Sequence, residues 1–335
     1  MTSWLVGLLC VALPCSLAAQ TKSRRPRAGY DRSARATVLH DTVVYVGPDD
    51  NAQKLTEVLP GHELVVMQRS GPWVKVFANT DGPDRVDDNA APVFGEDSEP
   101  TPDSGWIKDK GIVTPGMAGG DAILFGLAAE REDEASRPHA PKDAALEARL
   151  LYRRVYEYFP DSGLAADAAW RSADIRWQVE KADVSTLPSA KEQEAYLRPQ
   201  IYDGELRQVI KRYPGSKFAM LAAYDLLDNK VCGDWQGLPK CPEMEANLYL
   251  KYVSQYPESA KAPEAFYNAI YRQGVLVTMF QVDGDRRRTE EAVRKTQEMA
   301  ADMTSRFPAS DFTHRAQAIA YRVKQNISVY GTDRE

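Results

Sequence analysis

The sequence predicts a multidomain chain: a small all-β barrel followed by an all-α array of about four helical hairpins. Three observations carry this prediction. The 335 residues exceed one typical domain. Residues 36–114 hold short runs rich in Val, Thr and aromatics, punctuated by Gly and Pro, whereas residues 143–330 are rich in Ala, Tyr, Leu, Glu and Arg at helical spacing. Within the second region, four segments share one motif. The hydrophobic share of 43% and charged share of 27% are ordinary for a globular chain. A net charge of −6 argues against a polyanion-binding surface, so no nucleic-acid partner is expected.

The N-terminal MTSWLVGLLCVALPCSLAAQ is uncharged, with an apolar core broken at Pro14 and small residues at Ser16, Ala18 and Ala19. It is too short to span a bilayer comfortably and predicts a signal peptide over residues 1–19, with an uncleaved anchor as the alternative. Lipidation at Cys15 is disfavoured by the preceding Pro14. Residues 20–35 carry Lys22, Arg24, Arg25, Arg27, Arg32 and Arg35 among Ser, Pro and Gly, the composition of a solvated linker. On this reading the mature chain is periplasmic or otherwise extracytoplasmic and has no transmembrane span.

In residues 36–114, ATVLHDTVVYV ends at the turn signal Gly47-Pro48, and Pro60-Gly61 separates two further apolar runs. WVKVFA alternates Trp73, Lys75 and Phe77 against Val74 and Val76, and GWIKDKGIV supplies a last short strand. Residues 79–104 form an acidic, Pro-containing insertion suited to a surface loop. Gly47-Pro48, Pro60-Gly61, Gly71-Pro72-Trp73-Val74-Lys75-Val76 and Gly105-Trp106-Ile107 stand in the order in which the bacterial SH3-like (SH3b) family carries such elements, and the region resembles that family. The resemblance implies binding to cell-wall peptides or protein segments. Trp73 and Trp106 are expected to fill the barrel core, and no ligand residues are assigned there.

Residues 115–142 are expected to hold one connecting helix, GDAILFGLAAEREDEAS, and a linker. Beyond them, EYFPDSGLAADAA, KRYPGSKFAMLAA, SQYPESAKAPEAF and SRFPASDFTHRAQ align without gaps. Each has an aromatic, Pro, any residue, Ser, and an Ala six residues after that Ser, recurring at intervals of roughly 40–55 residues. The Pro ends one helix and keeps the aromatic out of helical angles, while the Ser suits the N-cap of the next. Small residues at Ala165, Ala219, Ala262 and Thr313 let the second helix lie close to the first. The four elbows resemble those of tetratricopeptide-like (TPR) proteins of the bacterial envelope, including Tol-system coordinators and outer-membrane-assembly lipoproteins. That resemblance implies a right-handed solenoid gripping an extended partner with the first helix of each pair. Arg149, Arg153, Arg154, Arg207, Lys211 and Lys251 lie on those helices and are the candidate partner-binding residues, a solvated charged face being the alternative.

Cys232 and Cys241 flank a Gly- and Pro-containing loop without nearby His, which favours a disulfide in an exported chain over two free thiols. His40, His62, His139 and His314 are scattered, and no phosphate-cradling Gly loop has the required spacing, so no catalytic residue, metal or cofactor is assigned. The expectation is an exported non-enzymatic scaffold holding a protein or peptide partner. A peptidoglycan-binding module with a helical spacer, or an accessory subunit of a separately encoded envelope enzyme, is the alternative.

Overall fold

The computed structural model describes residues 34–81 and 103–331. The expected signal peptide, nearly all of the basic linker and most of the acidic insertion lie outside the described residues. Seven short strands come first: β1 (Arg35–Val38), β2 (Thr42–Tyr45), β3 (Lys54–Val58), β4 (Glu63–Ser70), β5 (Trp73–Ala78), β6 (Asp103–Lys108) and β7 (Ile112–Val113). They form one antiparallel sheet in the order β3-β2-β6-β5-β4-β1-β7. The sheet curls over a core of Ala36, Val38, Val44, Val58, Leu64, Val74, Val76 and Ile107. Among the described residues its end strands β3 and β7 do not pair with each other, so the curl is a half-barrel.

The two tryptophans are not in that core. In β5, Val74 and Val76 face inward, so the alternation turns Trp73, Lys75 and Phe77 outward. Trp106 is paired with Lys75 and with Tyr45, and therefore shares the outer face. Trp73 is still buried, because Tyr45 packs edge-on at 5.6 Å between ring centroids and the Lys108 ammonium sits 3.9 Å above the ring. The half-barrel core is built of alanine and aliphatic side chains, with no aromatic among them.

Nine α-helices follow among the described residues. The first, α1 (Gly120–Ala135), is the expected connector, and it buries Leu124 and Ala128 against Leu151, Tyr152 and Val155 of α2 (Ala144–Tyr158). The remaining helices are α3 (Ala165–Ser185), α4 (Gly204–Arg212), α5 (Lys217–Asp225), α6 (Lys240–Gln255), α7 (Ala262–Val282), α8 (Arg286–Arg306) and α9 (Asp311–Lys324). The elbows join α2 to α3, α4 to α5, α6 to α7 and α8 to α9, and each joined pair packs together.

The repeat extends to backbone angles. Phe159, Tyr213, Tyr256 and Phe307 each close a helix with φ between −132° and −124° and ψ between 54° and 60°. In every elbow the Ser amide donates to the aromatic's carbonyl, at 3.0 to 3.2 Å. Ser216 and Ser310 are true N-caps, accepting from the amides of Ala219 and Phe312. Ser162 and Ser259 stand three residues before the first helical residue and accept from the amides of Leu164 and Lys261 instead. The shared device is thus an elbow turn closed by a serine oxygen, and its distance from the helix varies.

The longest apolar stretch, α7, is buried between α6, α8 and α9, which explains its nearly continuous hydrophobic character. Gly274 permits this packing, since a Cβ there would stand 2.7 Å from Ile319 of α9. The β and α regions also share a junction. Gly61, at φ +83° in the turn before β4, lies so close to α2 that a Cβ would meet the Leu151 amide nitrogen at 2.7 Å.

Candidate functional site

The first helices α6 and α8 flank a groove floored by α7. On α6 the lining positions include Glu243, Ala246, Asn247, Leu250 and Ser254, and on α8 they include Arg288, Glu291, Lys295, Asp302 and Arg306. Steps of three, four and seven residues put each set on one helical face. The section near the start of both helices encloses about 280 Å³, and the section toward their ends about 490 Å³.

Two phenylalanines of the floor are each covered by an arginine from α8. The Arg288 guanidinium lies 4.5 Å from the Phe280 ring centroid, and that of Arg306 lies 5.2 Å from Phe266. Asp285, the N-cap of α8, accepts from the Arg288 amide at 3.0 Å and from its guanidinium at 2.6 Å. These two bonds hold the Asp285 carboxyl below the usual carboxylate range. Between the phenylalanines lies Gln273, only 5% exposed. Its side chain lines the groove, and its amide atoms are not among the buried polar atoms that lack a hydrogen bond. A carboxamide so placed offers one acceptor and two donors to whatever enters.

The six cations expected to contact a partner are divided by the structure. Arg149 is buried and pairs with Glu205 of α4 at 2.8 Å, and Arg176 of α3 meets the same carboxylate oxygen at 3.0 Å. Arg154 is buried at the junction with the sheet, donating from Nε to the Gly61 carbonyl at 2.9 Å and pairing with Asp81 and Glu157. Neither is the surface contact the sequence suggested, because internal partners hold both guanidinium groups. Arg153 pairs with Glu157 and Arg207 with Asp203, each at i,i+4 on or beside its own helix. Lys211 and Lys251 are exposed.

The arginine at the junction sits in an ionic cluster. Asp81 also accepts from the Glu63 amide at 2.7 Å and lies 3.3 Å from His62, while Glu63 pairs with Arg35. Burial acts to raise Glu157, but the charges of Arg154 and Arg153 outweigh it and hold the carboxyl below its ordinary range. Cys232 and Cys241 are joined in a disulfide, with Cα atoms 6.0 Å apart. Beside it the buried Glu245 accepts from the Cys232 amide at 2.9 Å and from the Trp235 indole at 3.0 Å, and pairs with Arg272 at 2.9 Å.

Sequence reasoning missed Gln273. Its signal was a polar residue three and four positions beyond Ile270 and Ala269, on the buried face of an otherwise apolar helix. Among the described residues no group of three or more His, Cys, Asp or Glu is gathered as a metal site, and no helix is long and apolar enough to cross a membrane. Compared with known proteins, the chain matches no protein-family model and no curated protein sequence.

Proposed function

We propose that this chain is an exported, non-enzymatic scaffold that holds a protein partner in the cell envelope. Its helices act as a TPR-like right-handed solenoid, and its sheet as an SH3b-like targeting module. The observation that carries the reading is the groove between α6 and α8, bounded by the two first helices of consecutive elbow-joined pairs. Two features support export: the uncharged apolar N-terminal stretch, and a disulfide, which persists in oxidising compartments. Affinity capture from solubilised envelopes of the native host tests the reading. A captured protein should be lost with Asn247→Trp, which fills the groove from an exposed position.

The half-buried Trp106 beside Tyr45 on the outer face of the sheet favours a second reading, in which the β region binds peptidoglycan. Sedimentation of the full chain with insoluble peptidoglycan, without any captured protein, would decide for it.

A further inference from the structure

We infer that a cavity between two long helix connections binds a small organic anion, a carboxylate or phosphate head on a short apolar body. This goes beyond the scaffold reading and does not depend on the groove between α6 and α8.

The lobe that holds the cavity is the first argument. Residues 186–203 join α3 to α4 and residues 226–239 join α5 to α6, at the helix ends away from the elbows. Packed helices are usually joined by about 2–8 residues, and much longer connections are commonly functional. These two connections are tied to each other. The amides of Gly233 and Asp234 donate to the carbonyls of Glu192 and Lys191, both at 3.0 Å. The Asn229 carboxamide accepts from the Ile201 amide at 3.0 Å and donates to the Ile201 carbonyl at 2.7 Å. The disulfide ties the second connection to the start of α6. A cavity walled by segments so held is preformed, which spares a ligand the cost of ordering them.

Charge is the second. Lys181, Lys191 and Arg198 line the cavity together with one carboxylate, Asp228. Lys181 pairs with Asp228 at 2.6 Å and neutralises it. The half-buried Arg198 donates from Nε to the Ala190 carbonyl at 3.0 Å and from Nη1 to the Val231 carbonyl at 2.6 Å. One main-chain oxygen from each connection thus fixes the guanidinium. Neither Arg198 nor Lys191 pairs with a carboxylate among the described residues, so two positive charges stand unneutralised in a chain whose net charge is −6. A guanidinium held in place offers its remaining N–H groups in the planar geometry that carboxylates and phosphates accept.

Size is the third. The cavity encloses about 270 Å³, the share of about nine waters in the liquid. Apart from the charged groups its walls include Val184, Ile201 and Val231. Such a space suits a ligand of few non-hydrogen atoms whose body is apolar and whose head meets Arg198.

The test is isothermal titration calorimetry on the full chain at neutral pH, with hexanoate and hexyl phosphate as probes. At least one should bind saturably at a single site, and the tighter of the two identifies the head. Hexanamide keeps the body and lacks the charge, and should bind about tenfold more weakly or worse. Lys191→Glu reverses an exposed charge and should weaken the tighter anion about tenfold without lowering the melting temperature. Arg198→Lys keeps the charge but loses the planar fork, and should weaken it by a similar factor. Lys324→Glu, at an exposed position on α9, should leave binding unchanged. The inference is overturned if neither anion binds saturably, if hexanamide binds as tightly, or if Lys191→Glu weakens binding no more than Lys324→Glu. The scaffold reading survives each of these outcomes, because envelope capture and Asn247→Trp address a different groove.

Discussion

Arg154 reaches from α2 to the carbonyl of Gly61 at 2.9 Å, joining the helical array to the sheet where a glycine lets the two backbones approach. The same guanidinium pairs with Asp81 and Glu157 and is 1% exposed. The two regions are therefore coupled by a buried ionic contact as well as by the apolar cluster of Val113, Leu124 and Leu151. Removing one partner of a buried ionic cluster strands the others. Arg154→Ala is expected to cost about 3–5 kcal/mol in urea unfolding. A loss under about 1 kcal/mol, the range of a surface pair, would contradict a structural role.

Asp225 on α5 supplies a pH dependence. Burial first, and the charge of Asp174 second, push its carboxyl up to about 7, although the Trp170 indole donates to it at 3.4 Å. In the unfolded chain it titrates near its ordinary value of about 4. Between these values the folded state holds a proton that the unfolded state has released, so stability falls as pH rises. The contribution is full below about pH 4 and is lost as pH passes about 7. Asp225→Asn keeps an acceptor for Trp170 and removes the charge. Thermal melts should show the variant more stable than wild type at pH 8, with the difference vanishing near pH 4.

The elbow serines predict a modest, repeated effect. Ser216→Ala removes the bond to the Ala219 amide at 3.1 Å and should cost about 1 kcal/mol in chemical denaturation. Ser259→Ala should cost a similar amount, about 1 kcal/mol, because it loses the Lys261 amide bond while the Tyr252 hydroxyl keeps its bond to the Met220 carbonyl at 2.9 Å.

The disulfide should act locally. Reduction, or Cys232→Ser with Cys241→Ser, opens a short ring and is expected to cost about 2–3 kcal/mol. Glu245 still holds the Cys232 amide and the Trp235 indole, so the loop should keep its place. Near-ultraviolet circular dichroism of Trp235 before and after reduction measures this.

The elbows were legible because Pro, Ser and small residues act on their neighbours in sequence, and such local effects repeat wherever the residues do. The strands and connecting helix were legible for the same reason, through alternation and helical spacing. The tryptophans were not, since which face of a short strand is the inside depends on how far the sheet closes. Arg149 and Arg154 were misread because an arginine near tyrosines on an amphipathic helix looks alike whether it meets solvent or a neighbouring element. Their partners, Glu205 in one case and Gly61 with Asp81 in the other, lie more than fifty residues away. Gln273 escaped notice because which residues of a buried helix border a groove is a property of packing.

Site-specific photo-cross-linking in the native host tests the central claim most directly. A photoreactive residue at Lys295, on the groove rim, is compared with one at His314, exposed on α9. The account predicts a discrete cross-linked protein from position 295 that is absent from position 314 and is lost when Asn247→Trp is added. No adduct at 295, or the same adducts from both positions, would contradict it.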